Sequence, residues 1–194
     1  MASLPSGLVA QLITESIHVK QAMLADQALL AQIGDVAQRV VDCYRNGGKV
    51  LLAGNGGSAA DAQHIACELL GRFKCERQAL PALALSTDSS TLTAIANDLG
   101  YDRIFERQLE GLVQPGDVVW ALSTSGNSPN VLDALRVARE RGGIIIGFSG
   151  RTGGKMAEMC DHLFHADHTS SDRIQEAHLI AYHYICERVE ATMA

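Results

Sequence analysis

The feature that most restricts the fold of this chain is a unit that recurs from residue 49 onward. A short apolar run is followed by a turn and then by a stretch of helical spacing. The runs Lys49 to Ala53, Leu80 to Ser86, Val118 to Leu122, Gly143 to Ser149 and His162 to Ala166 precede helical stretches at 59–70, 91–99, 129–141, 155–160 and 172–189. Near-continuous apolar strands separated by helices pair in parallel, because each helix is the crossover that a parallel neighbour requires. The pattern therefore predicts an α/β fold, a doubly wound five-stranded parallel sheet flanked by helices. Ligands of open sheets bind outside the carboxyl ends of the strands, which directs attention to the turns after Ala53, Ser86 and Leu122.

Ahead of this core, Leu8, Leu12, Ile13 and Ile17, then Leu29, Leu30, Ile33, Val36 and Val40, recur at spacings of three and four. That spacing predicts amphipathic helices, with Asp26 as a restarting N-cap and Gly47-Gly48 as the stop. A helical segment of this size (1–47) is too small to stand alone, so residues 1–194 read as one domain whose α/β core spans 48–194. The segment must pack on the sheet or on another subunit, and a homo-oligomer is expected.

Composition narrows the function. The 22 acidic and 16 basic residues give a net charge of −6, with no Lys/Arg-rich run, so a nucleic-acid partner held by bulk positive charge is excluded. No apolar run approaches the 18 or so residues of a membrane span, and the first basic residue is Lys20, unlike the start of a secretory leader. Five cysteines with no C-x-x-C pair fit free buried thiols, so a reducing, cytoplasmic location is expected, away from membranes.

Two turns carry the chemistry. Gly54-Asn55-Gly56-Gly57-Ser58-Ala59 matches the dinucleotide pattern G-x-G-x-x-G/A after a strand, yet its partner feature, an acidic residue that ends the second strand about 20 positions on, is not met. The second strand ends near Asp88, which disfavours a nicotinamide dehydrogenase. Ser123-Thr124-Ser125-Gly126-Asn127-Ser128-Pro129 follows the third strand and opens a helix with Pro129 in its first turn. Its hydroxyls and free N–H groups suit a phosphate dianion without Lys or Mg²⁺, and no G-x-x-x-x-G-K-[ST] is present for a nucleoside triphosphate. A simple Ser N-cap would account for one of these hydroxyls, not four.

Several other polar residues have a functional and a structural reading. His64 and Glu68 lie four apart on the helix after the glycine turn, a spacing that serves a metal, a base with its imidazole, or an ordinary surface pair. In the apolar last helix, Gln175, Glu176, His178 and His183 need partners if buried. His178, one turn from Gln175, and His183, two turns away, are rival ligands, the unused one being a core histidine. His162, His165 and His168 alternate across a strand and read as surface or structural, and Cys67 reads as a small core residue.

Together, AGNGGSAADAQHIACE, LTAIANDLGYDRIF, STSGNSPN and RIQEAHLIAYH resemble the sugar isomerase (SIS) domain, specifically its sedoheptulose 7-phosphate isomerase family, from about residue 8 to the end. The resemblance implies an aldose–ketose isomerase that converts sedoheptulose 7-phosphate to D-glycero-D-manno-heptose 7-phosphate through an enediol, the first step toward activated heptose for lipopolysaccharide and related surface polysaccharides. It implies a homotetramer with one Zn²⁺ per subunit held by His64, Glu68, Gln175 and His183, and so selects His183 over His178. It further implies Ser123, Thr124, Ser125 and Ser128 as phosphate binders, Asn55, Gly56 and Gly57 in the same cleft, and Asn97 and Asp98 at sugar hydroxyls. Glu68 and Gln175 also contact substrate in that family, and Glu68 and His183 move its protons. Relatives that bind a replication initiator instead of catalysing lack the Glu and His counterparts, whereas both are present here. Isomerases of pentose or hexulose phosphates remain the nearer alternative.

Overall fold

A computed structural model describes residues 6–194, so the first five residues, part of the stretch expected not to be a leader, lie outside the described residues. Two helices open it, α1 (Ser6–Ala25) and α2 (Gln27–Arg45). Asp26 caps α2 as its position in the sequence predicts, its side chain accepting from the Leu29 N–H at 3.0 Å. The core then runs β1 (Val50–Gly54), α3 (Gly57–Leu70), β2 (Ala82–Ala84), α4 (Ser89–Leu99), α5 (Glu106–Leu112), β3 (Val118–Ser123), α6 (Pro129–Glu140), β4 (Ile144–Ser149), β5 (His162–His165) and α7 (Ser171–Met193).

All five strands are parallel in the order β2-β1-β3-β4-β5, the doubly wound sheet expected. Strand alternation divides the core. Leu52, Trp120, Leu122, Ile146 and Phe148 face α2, α3 and α7, while Leu51, Ala53, Val119, Ala121 and Ile145 face α5 and α6. Because strand order reverses between β1 and β3, the turns that follow these two strands open into one crevice.

Three local expectations change. The second strand spans only Ala82–Ala84: Pro81 accepts from Val50 N–H (3.0 Å) but has no N–H of its own to donate, and the chain turns at Leu85 and Ser86. Residues 154–158 form a 3-10 turn rather than an α-helix, entered through left-handed Gly153. The helix α5 falls where the sequence shows no recurring unit, and it covers the sheet through buried Leu109.

The N-terminal segment divides its two possible roles. Helix α2 buries Leu29, Ile33, Val36 and Val40 in the core, whereas α1 contributes only Val19 and Met23 and leaves Leu8, Val9, Leu12, Ile13 and Ile17 exposed. Of the cysteines, Cys43 and Cys186 are buried as expected. Cys75 and Cys160 are half-buried, and Cys67 is exposed, a correction to its reading as a core residue: it lies on the outer face of α3, while Ala66 and Leu69 turn inward. No described helix is long and apolar enough to cross a membrane.

Candidate active site

The serine-rich turn is folded by its own hydrogen bonds. Ser123 Oγ lies 3.1 Å from Ser128 Oγ, Asn127 N–H donates to Ser125 Oγ (3.1 Å), and Thr124 Oγ1 meets Ser171 Oγ (3.0 Å) at the start of α7. Gly126 is required here: its φ is +64°, and a Cβ would lie 1.9 Å from the Gly153 carbonyl oxygen. Pro129 opens α6 as predicted, so this turn leads directly into the N-terminal N–H groups of α6.

The glycine turn is tied to it. Asn55 and the buried Asn130 exchange two amide hydrogen bonds of 2.9 Å, and the Tyr101 hydroxyl donates to Asn55 Oδ1 at 3.0 Å. A cavity of about 210 Å³ beside them is lined by Asn55, Gly56, Ser86, Thr93, Tyr101 and Phe105 among others. Asn97 and Asp98, expected at sugar hydroxyls, are exposed on the last turn of α4 and bonded to each other at 2.8 Å, and neither lines this cavity. A larger groove of about 450 Å³ between α1, α2 and α7 is apolar, with Met23, Leu24, Leu30, Ile180 and Tyr184 in its walls, and carries no reactive group besides Lys20.

Helices α3 and α7 lie side by side and run in the same direction. Gly57, at the start of α3, packs against the Gln175 amide so closely that a Cβ would lie 2.4 Å from Nε2, and seven residues on His64 faces His183. There His64 Nε2 lies 3.0 Å from Glu68 Oε1 and 3.5 Å from His183 Nε2. Among the described residues this half-buried trio is the one group of at least three His, Cys, Asp or Glu residues whose ligand atoms converge, all within 4.8 Å of one another. His162 and His165 lie half-buried and exposed on β5, and His168 Nδ1 accepts from the Ser170 N–H at 3.0 Å.

The trio is oriented from behind. The Tyr182 hydroxyl is 3.4 Å from Asp61 Oδ1 and 2.9 Å from His64 Nδ1. With the phenol donating to Asp61, its oxygen accepts from Nδ1–H, and the His64 Nε2 lone pair then points at Glu68 and His183. Burial, with the neighbouring His64 adding to it, holds His183 below its ordinary pKa against the pull of Glu68. Burial likewise raises the pKa of Asp61, against its bond from Tyr182. Two nitrogen lone pairs and a carboxylate oxygen facing one point repel unless a cation or a proton sits among them, and the N₂O donor set suits zinc with a position left open.

Gln175 is not with this trio. It stands eight residues before His183, about 12 Å along α7, and its amide packs against Gly57. His64 and Glu68 are correspondingly about 10 and 16 Å along α3 from Gly57, farther from the carboxyl edge of the sheet than their sequence spacing suggested. His178 is the core histidine of the rival pair, fully buried with Nε2 3.1 Å from the Ser149 carbonyl.

Burial lowers the His178 pKa to about 4. The unfolded chain binds this proton near pH 6.5 and the folded chain only near 4, so stability is complete above 6.5 and falls as pH drops through that window. A thermal-melt series should show a loss of about 3 kcal/mol from this group between pH 6.5 and 4. The same slope in His178→Gln would contradict it.

Comparison with known proteins places this arrangement. Residues 14–150 match the family described as the SIS domain. A phosphoheptose isomerase of Aneurinibacillus thermoaerophilus is 52% identical over 178 residues, 92% of this chain and 90% of that protein. This chain belongs to the SIS domain family. Among solved SIS-domain structures, a phosphoheptose isomerase from Neisseria gonorrhoeae superposes with a TM-score of 0.88 at 42% identity, covering 95% of this chain and 98% of the other. One from Francisella tularensis gives 0.90 at 34% identity, covering 98% and 100%. The family match stops at residue 150, before α7.

Sequence reasoning missed Asp61 and Tyr182, the groups behind His64. One signal was available: Asp61 precedes His64 by one helical turn, and Tyr182 adjoins His183.

Proposed function

We propose that this protein interconverts sedoheptulose 7-phosphate and D-glycero-D-manno-heptose 7-phosphate through an enediol, in the cytoplasm, at the head of activated-heptose synthesis for lipopolysaccharide and surface polysaccharide. That the chain is an isomerase acting on sugar phosphates follows from relatives about half identical along nearly its whole length. The observation that carries the mechanism is the convergence of His64, Glu68 and His183.

Glu68 takes the proton from C1, the electron pair forms the C1–C2 double bond, and His183 in its protonated form gives its proton to the carbonyl oxygen and becomes neutral. A carboxyl oxygen of Glu68 then returns its proton to C2 while the C1 hydroxyl gives up its own to the neutral imidazole, leaving an aldehyde. His183 thus ends as it began. Oε1 faces His64, and the second carboxylate oxygen is free for this exchange. Zn²⁺ held by His64, Glu68 and His183, with Gln175 as a fourth ligand, would polarise the carbonyl. Ser123, Thr124, Ser125 and Ser128 bind the phosphate, with Asn55, Gly56 and Gly57 alongside and Asn97 and Asp98 reaching sugar hydroxyls.

The whole chain acts as one domain, but one chain does not complete the site. Thr124 is bonded to Ser171, and His183 lies twelve residues farther along α7, about 18 Å away. Six C–C bonds near 1.5 Å span at most roughly 9 Å, and the phosphate ester adds about 3 Å. This separation supports a site in which the trio of one subunit serves the phosphate turn and Gln175 of another, with the exposed apolar face of α1 supplying the contact for a homo-oligomer, a tetramer as the resemblance implies. Incubation with sedoheptulose 7-phosphate should yield the aldose. No aldose from folded protein that binds the ketose phosphate would favour a binding role on the same fold.

A further inference from the structure

The loop between α3 and β2, residues 71–81, carries no residue of the proposed chemistry, yet it is bound more firmly than its irregular backbone suggests. The buried Glu190 carboxylate accepts from the backbone N–H groups of Phe73 (2.8 Å), Lys74 (2.5 Å) and Cys75 (3.1 Å). Arg77, its guanidinium equally buried, lies 3.4 Å from Glu190 and donates to the carbonyls of Glu68 (2.7 Å), Gly71 (3.1 Å) and Gln78 (3.0 Å). Two opposite charges withdrawn from water persist only where each is met by many hydrogen bonds, as both are here. They hold one strip of backbone in one place.

That place is decided by α7. Glu190 is seven residues beyond His183, two turns along the same face, so backbone anchored on Glu190 is delivered to the imidazole. Phe73 stacks on His183 with ring centroids 5.4 Å apart and planes inclined by 18°, and Lys74 is held outward by Glu187 at 2.6 Å. His64 and Tyr182 meet the same imidazole edge-on, at 5.0 Å each. Phe73 is thus the flat wall that fixes the plane of the ring, with His64 and Tyr182 fixing its rotation.

We infer that Phe73 is a positioning residue for His183, and that the Glu190–Arg77 pair exists in this fold to hold Phe73 there. The inference rests on the role given to His183 above. A ring that must carry a proton between two oxygens loses rate when its plane is free to rock, because transfer depends on alignment more than on affinity.

The test is Phe73→Leu, which fills much of the space without a planar face, beside Phe73→Tyr, which restores the plane. In the leucine variant kcat should fall by about tenfold or more with KM within about twofold, and tyrosine should recover most of the loss. In metal-free protein the His183 Cε1–H resonance should move downfield in Phe73→Leu and return in Phe73→Tyr. Wild-type kcat in Phe73→Leu, or a fall that tyrosine does not repair, overturns the inference. Failure of the wider reading looks different: the unaltered protein would then give no aldose, or Glu68→Gln would keep its rate.

Discussion

Glu68→Gln should reduce turnover by roughly 10³-fold while the protein still binds sedoheptulose 7-phosphate, since a positioned base contributes about 10²–10⁴ and the amide keeps the shape but not the basicity. Isothermal titration with the ketose phosphate beside a turnover assay reads the two effects separately. Loss of binding along with rate would make Glu68 chiefly a ligand or structural group. The separation of the trio from the phosphate turn adds a second expectation. Glu68→Gln and Gln175→Ala subunits, each inactive alone, should regain activity when refolded together, because some sites then pair an intact trio with an intact Gln175. No recovery in verified mixed oligomers would place the whole site within one chain.

Removing the metal should be as severe. Chelator-treated protein is expected to lose nearly all activity and to regain it with Zn²⁺, whereas Mg²⁺ should not restore it, because two imidazoles and one carboxylate suit zinc and not a hard, oxygen-seeking ion. Three facing acceptors without a cation repel, so thermal stability should fall together with activity. Activity indifferent to chelation would leave an isomerase that depends on Glu68 and His183 alone.

How much of this was legible in the sequence varies with the range of the interaction. The parallel sheet, the cap at Asp26, Pro129 at the head of α6 and the serine-rich turn follow from apolar periodicity and from residues within a few positions of one another. Cys67 failed for a related reason: the helix was recognised, but which of its faces turns outward depends on what packs against it. The 3-10 turn at 154–158 and the shortness of β2 depend on glycine and proline geometry in their loops. The choice between His178 and His183 could not be made from spacing alone, because both lie on α7 and only the neighbouring helix separates a buried ring on the Ser149 carbonyl from one facing His64.

The sequence by itself determined the α/β class and the glycine-rich and serine-rich turns, because each is written in residue types at short spacing, whereas the choice of His183 over His178 came from the family resemblance. Tertiary structure alone decided which of the candidate groups meet. Laying α3 parallel to α7 brings His64, Glu68 and His183 to one point and leaves Gln175 two turns away against Gly57. It also brings Glu190 to Arg77, more than a hundred residues away in the chain, in the loop that carries Phe73. Contacts of that kind depend on how two helices are placed across a sheet, a property of the packed core as a whole and not of any segment within it.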